Sequence, residues 1–154
     1  MNLEQARAAA AFNTARSEAG RADEERKDFL ALARSLPAML QINGLLASWA
    51  FLLRRKGTNE RLLGALLQHL RGVFPRQTYP LLHRDGATLD NVVLGVGARN
   101  DSSPPLTSSQ LRGLTAEAIR YATWLKRAAE ALCDAGAATP PQAPAATQNR
   151  EATS

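Results

Sequence analysis

A chain of 154 residues supports one hydrophobic core and is too short for two independent ones. Its 45% hydrophobic content is mostly Ala and Leu, both helix formers, while 5% aromatic residues and scattered Val and Ile leave little from which to build strands. The single Cys133 excludes an intramolecular disulfide and a multi-cysteine zinc site.

The first residues, Met1 to Arg7, are polar with no signal-peptide apolar region behind them. The apolar runs are read as falling short of the roughly 20 residues that span a bilayer. A cytoplasmic protein with no membrane partner is expected. Nineteen basic against fourteen acidic residues give a formal charge of +5, and Lys occurs only at 27, 56 and 126. Arg pairs with phosphate through a rigid fork of donors, so this balance suits a polyanion without establishing one.

Periodicity places a first helix over Leu3, Ala8, Phe12 and Ala15, ending at Gly20. A second begins near Asp23, read as its cap, and turns Phe29, Leu32, Ala33 and Leu36 inward. Pro37 lacks a backbone donor, so a separate third helix is expected from Pro37 to Lys56, with Ser35 or Leu36 as its cap. Being apolar nearly all round from Ala38 to Leu53, it should be the central and most buried helix. Arg54, Arg55 and Lys56 close it, with Gly57 as a left-handed cap.

Thr58 and Asn59 are read as caps of a fourth helix with the stripe Leu62, Leu63, Leu66, Leu67, Leu70 and Phe74, stopped by Pro75. Residues 75–106 form a long irregular connection with at most one short helical turn. Thr107 and Gln110 then make a capping box for a last helix running to about Asp134, with Leu111, Leu114, Ala118, Tyr121, Leu125, Ala128 and Leu132 inward. The expected architecture is an all-α, single-domain bundle of about five helices over residues 1–135, followed by a disordered Ala/Pro/Thr/Gln tail over 137–154.

No constellation for chemistry is visible, so no enzyme, cofactor, metal or small-molecule substrate is expected. His69, at the edge of a leucine stripe, is read as a half-buried packing residue, and His83 as a solvent residue. Gly95-Val96-Gly97 lacks the third glycine, the strand and the helix of a dinucleotide-binding turn. Cys133, at a helix end whose dipole opposes a thiolate, is read as a packing residue. Trp49 and Trp124 are read as core anchors.

The cations are more informative. Arg120 and Arg127 are seven apart and nearly in register, with Arg112 within a quarter-turn and Lys126 flanking. Arg54, Arg55 and Lys56 fan out at a helix end, and Lys27 and Arg34 again lie seven apart. These residues read either as a nucleic-acid surface or as solvated faces completed by helix ion pairs to Glu117, Glu130 and Glu24. Asn43-Gly44 stands out in the most apolar helix, because Gly there costs about 1 kcal/mol relative to Ala. A close approach of two backbones would account for it, so Asn43 and Gly44 are candidate subunit-contact residues.

Three segments carry a family resemblance: Asn2-Leu3-Glu4-Gln5-Ala6-Arg7; Leu36-Pro37 leading to Asn43-Gly44-Leu45 and Ala50-Phe51-Leu52; and Tyr121, Trp124-Leu125-Lys126-Arg127 with Ala129-Glu130-Ala131-Leu132. In order and spacing they resemble the small subunit of the Cmr complex, the type III-B CRISPR RNA-guided effector of antiviral defence. The resemblance implies a non-catalytic all-α bundle, several copies of which stack as a minor filament beside subunits that hold the CRISPR RNA, lining the path of the complementary target RNA. The chain departs from the family pattern in its long connection and its tail.

With that resemblance, the expected RNA-facing residues are Arg120, Lys126, Arg127, Arg54, Arg55, Lys56, Lys27 and Arg34, contacting the RNA backbone without sequence preference. The expected partners are other Cmr-complex subunits, further copies of the chain, CRISPR RNA and target RNA. Two other readings stay open: a protein–protein adaptor without RNA contact, and a free-standing helical DNA-binding regulator, for which the turn around Gly57 is the right length but the next helix is Leu-rich.

Overall fold

Asn2 opens the first helix, α1 (Leu3–Ala19): its side chain accepts from the Gln5 amide at 2.9 Å while the Gln5 side chain accepts from the Asn2 amide at 3.2 Å. This reciprocal pair satisfies two of the donors that a helix start leaves orphaned. The structure, a computed structural model, describes residues 2–83 and 106–134. Most of the expected connection, Gly95-Val96-Gly97 and the tail lie outside the described residues.

Four α-helices carry the described residues, where about five were expected: α1, α2 (Asp23–Leu52), α3 (Thr58–Val73) and α4 (Ser108–Cys133). A 3-10 turn at Pro80–His83 falls in the connection. The difference in number lies in α2, which runs through Pro37 without parting. Leu36 and Leu40 on either side of the proline are buried at 0% and 1% exposure. Core packing thus holds the helix across the one backbone bond that the ring forgoes.

The interruption falls instead at Gly44, with φ +76° and ψ 174°. That region of backbone space is essentially open to glycine alone. Beyond it the chain turns back, since the Ser48 hydroxyl donates to the Met39 carbonyl at 3.1 Å. In an unbroken helix, residues nine apart stand about 13.5 Å apart along the axis. Residues 23–43 and 45–52 are therefore two arms folded against each other. A Cβ built on Gly44 meets nothing within 4 Å, so the dihedrals and not a close backbone approach within the chain require the glycine.

Two further expectations about α2 need correction. It is not the most buried helix: Leu40, Leu45, Trp49 and Leu52 face the core, but Ile42 is 81% and Phe51 51% exposed, with Leu46 and Leu53 also exposed. Residues 35–52 carry no charge, and by length and composition α2 could cross a membrane, contrary to the reading of short apolar runs. The reversal at Gly44 divides that stretch, leaving neither part at the roughly 20 residues a span requires.

The ends of the elements also differ in detail. Ala22, not Asp23, precedes α2 without a side-chain cap, although Asp23, Glu24 and Glu25 all stand in its first turn. The helix closes at Leu52, four residues short of Lys56. Gly57, at φ +84°, leads directly into α3, and neither Thr58 nor Asn59 caps it. Asn59 instead donates to the Leu52 carbonyl at 3.2 Å, satisfying an acceptor at the end of α2.

The centre of the bundle is α4. Thr107 and Gln110 cap it reciprocally at 3.1 and 2.9 Å, as expected, and Leu114, Ala118, Tyr121, Ala122, Leu125, Ala128 and Ala129 are buried along one face. On it lie α1 and α2. The fully buried Ala11 and Ala15 let α1 approach closely, running in the same sense as α4 from Arg7 beside Glu117 to Ala15 beside Cys133. The Leu62, Leu63, Leu66, Leu67 and Leu70 stripe of α3 completes the core.

A buried polar cluster joins three of these helices. Arg7 of α1 donates through Nε and Nη2 to both carboxylate oxygens of Glu117 at 2.7 Å, and through Nη1 to Glu4 at 2.9 Å. His69 of α3 meets the same Glu117 carboxylate at 2.9 Å and stacks on Tyr121, with ring centroids 4.5 Å apart. Glu117 is 3% and Arg7 7% exposed. Glu117 is therefore not part of a solvated face, and His69 is buried, not half-buried. Burial alone would raise the Glu117 pKa, but the bonds from Arg7 and His69 outweigh it and hold the carboxyl below its ordinary value. Glu18, also buried, accepts from Arg61 at 2.8 and 3.2 Å, tying the end of α1 to the start of α3.

Gly44→Ala should lower unfolding free energy by about 1–3 kcal/mol, the cost of forcing a Cβ into that conformation. Gly64→Ala, at a helical position where a Cβ meets nothing within 4 Å, should raise it by up to about 1 kcal/mol; denaturant midpoints of the two variants check both signs. Because the carboxyl of Glu117 is held below its unfolded value, its contribution is complete above the ordinary carboxylate range and is lost as pH falls through the folded value. Glu117→Gln should accordingly be less stable than the parent at pH 7, and the difference should shrink towards pH 3 in a series of urea titrations.

Candidate nucleic-acid interface

The fold-back at Gly44 brings the first turns of α2, at Asp28 and Ala31, near Arg54, Arg55 and Lys56, which lie about 25 residues further along the chain. A groove of about 600 Å³ lies between the first arm, at Asp28, Ala31, Leu32 and Ser35, and the chain that runs from Phe51 through the turn at Arg54, Arg55 and Lys56 to Thr58 and Asn59 of α3. Lys27 precedes Asp28 and stands one turn before Ala31, at the end of the first wall. All four cations are exposed and have no ion-pair partner among the described residues.

Arg120 and Arg127 share the outer face of α4, opposite its buried stripe, and both are exposed. The Arg127 guanidinium lies 5.2 Å from the Trp124 ring centroid, a cation–π contact that leaves the charge on the surface. Trp124 is half-buried, and its indole donates to Glu4 at 2.6 Å. With the second bond from Arg7, this holds the Glu4 carboxyl below its ordinary value. Lys126 is exposed about 100° round the helix from Arg127. Arg112, also exposed, extends the ridge towards the start of α4.

Arg34 differs from the others. Its guanidinium reaches Glu130 at 3.3 Å and Asp134 at 3.0 Å, bridging α2 to the end of α4. Glu130 therefore pairs between helices and not along its own, and Glu24 makes no ion pair among the described residues.

Asn43 is exposed and sits with Gly44 at the tip of the fold-back, flanked by exposed Ile42 and Leu46. The glycine marks the tip in the sequence, whereas the apolar side chains around it are not among the expected contact residues. Their signal was an uncharged segment with more apolar residues than one helix face can bury.

His83, Cys133 and Trp49 take part in the packing of the bundle. His83 is half-buried and bonds the Phe74 carbonyl, so it is not a solvent residue. Cys133 is buried, with its thiol pushed up by burial, as suits a packing residue. Trp49 is a core anchor at 4% exposure. Among the described residues no group of three or more His, Cys, Asp or Glu is arranged to hold a metal ion.

A Cmr5-family protein from Thermus thermophilus, known from an X-ray crystal structure, is similar over 86% of this chain and 98% of its own, at 26% identity and a TM-score of 0.61. No curated protein matches the chain. The family described as CRISPR-associated protein (Cas_Cmr5) matches residues 3–132, from the first turn of α1 to the last of α4. The chain thus belongs to the Cmr5 family of CRISPR-associated proteins.

Proposed function

We propose that this chain is the small, non-catalytic subunit of a type III-B CRISPR effector complex, stacking as a minor filament and contacting the target RNA backbone without reading its sequence. Family membership supports the place in the complex. The RNA contact rests chiefly on one observation: Arg120 and Arg127 stand exposed on the outer ridge of α4 and form no salt bridge among the described residues, although the Glu4 carboxylate is close enough to Arg127 to feel its charge. Lys126 flanks them, and Arg54, Arg55, Lys56 and Lys27 extend the surface at the fold-back. Arg34, already committed to Glu130 and Asp134, is left out of the set.

Cations spaced along a helix face suit a phosphate backbone, and the sequence is read by pairing with the guide RNA. A DNA-binding regulator is disfavoured because α3, which follows the short turn at Gly57, turns its leucines into the core and offers few base-reading side chains.

The adaptor role adds to this reading and does not compete with it. Ile42 at 81% exposure, with Leu46 and Asn43 beside it, suits Asn43-Gly44 as a subunit contact, either with a further copy or with another Cmr subunit. A substitution at Gly44 would disturb the turn itself, so Ile42 is the cleaner probe.

Charge reversal at both Arg120 and Arg127 should weaken target-RNA binding by the assembled complex at least tenfold near physiological salt. It should also flatten the slope of log affinity against log salt by about 1.4, as expected for two single-strand phosphate contacts; unchanged affinity and slope would overturn the assignment. Ile42→Asp should leave the melting temperature within a degree or two and lower recovery of the subunit with its complex in co-purification. Full recovery would remove the tip from the assembly surface.

A further inference from the structure

We propose that the groove between the first arm of α2 and the chain leading from Phe51 into α3 is a nucleotide site, in which the Phe51 ring stacks on an unpaired base of single-stranded RNA whose phosphate lies on Arg54, Arg55 and Lys56. The inference rests on the RNA-contact reading and goes beyond it, because backbone contact alone needs neither a groove nor an aromatic. Phe51 is 51% exposed on a groove wall, although a buried phenylalanine contributes about 1.5–3 kcal/mol. The same wall carries three cations without ion-pair partners among the described residues. A bare aromatic face interleaved with cations is the recurring platform for single strands, since every base has a face to stack and every nucleotide a phosphate.

The volume, about 600 Å³, lies in the range of small-ligand sites. The two walls differ in hydrogen-bonding character. On the first arm, Asp28 offers a carboxylate, and Ser35, whose hydroxyl donates to the Leu32 carbonyl at 3.0 Å, has its oxygen lone pairs left as acceptors. On the second, the cations are donors only. A nucleotide meets both: its phosphate faces the cations, and its ribose hydroxyl or base amino group faces the acceptors. An apolar protein side chain would use Phe51 and leave the three cations desolvated without partners.

The test uses the full chain and two probes of equal length and charge, a uridine oligomer and a ribose-phosphate oligomer without bases. Phe51→Ala should weaken binding of the uridine oligomer about 5- to 150-fold, leave the abasic oligomer unaffected and leave the salt slope and melting temperature unchanged. Phe51→Tyr should retain most of the affinity. If Phe51→Ala changes neither probe while Arg55→Glu with Lys56→Glu weakens both, the stacking site is overturned and backbone contact survives. Equal weakening of both probes by Phe51→Ala, or loss of co-assembly with no effect on RNA, assigns Phe51 a structural or protein-contact role and also overturns the site. Failure of the parent chain to bind either probe at low salt overturns the site and the RNA reading beneath it.

Discussion

At Gly44 the backbone takes a conformation that no residue with a side chain adopts without strain, and the shape of this protein's surface follows from it. A helix continuing straight from Asp23 to Leu52 would be about 45 Å long and would carry its uncharged second half beyond the core. The turn returns that half along the first, buries Leu45, Trp49 and Leu52 and leaves the other faces of the short arm in solvent. The groove and the exposed tip both arise from this one reversal.

Burial of the polar cluster at Arg7, Glu117 and His69 sets the relation of the helices to one another. A bidentate guanidinium–carboxylate pair has little freedom in angle. Removing one member leaves the other charged in a dry site at a cost of several kcal/mol, whereas the intact pair adds little net stability. The cluster therefore acts on register. It holds α1 and α3 at fixed heights along α4, and the stack of His69 on Tyr121, with the Tyr121 hydroxyl 3.2 Å from Thr14, extends the same constraint one turn further.

Much of this was legible in the residues, and the misses have physical causes. The capping boxes at Asn2 and Thr107 are local, so their residues sufficed to place two helix starts. The inward stripe of α4 is amphipathic and was read correctly. The intrinsic cost of Pro37 points to a break that the packing of Leu36 and Leu40 around it overrides, while the cost of glycine in a helix marks Gly44 without revealing the turn it makes. The chemistry of Glu117 suggests a solvated carboxylate, although its position three after Leu114, next to Ala118 and four before Tyr121 places it on the buried face. Arg7 likewise stands four before Ala11 and eight before Ala15. A charge at a buried register position on each of two helices was the available sign of an inward ion pair.

The net charge of +5 conceals a division of labour among the basic residues. Arg7, Arg21, Arg26, Arg34 and Arg61 are paired with carboxylates of this chain, and a cation so committed loses more by turning to phosphate than a solvated one does. Exposed cations without ion pairs among the described residues include Arg112, Arg120, Lys126 and Arg127 on the ridge of α4 and Lys27, Arg54, Arg55 and Lys56 near the groove of α2, and they shape the outward field there. Because salt screens charges beyond about 8 Å at physiological ionic strength, these local clusters, and not the total, determine where a polyanion lies against the protein. Burying carboxylates with some arginines while leaving other cations exposed on helix faces turns a modest net charge into local clusters of positive charge.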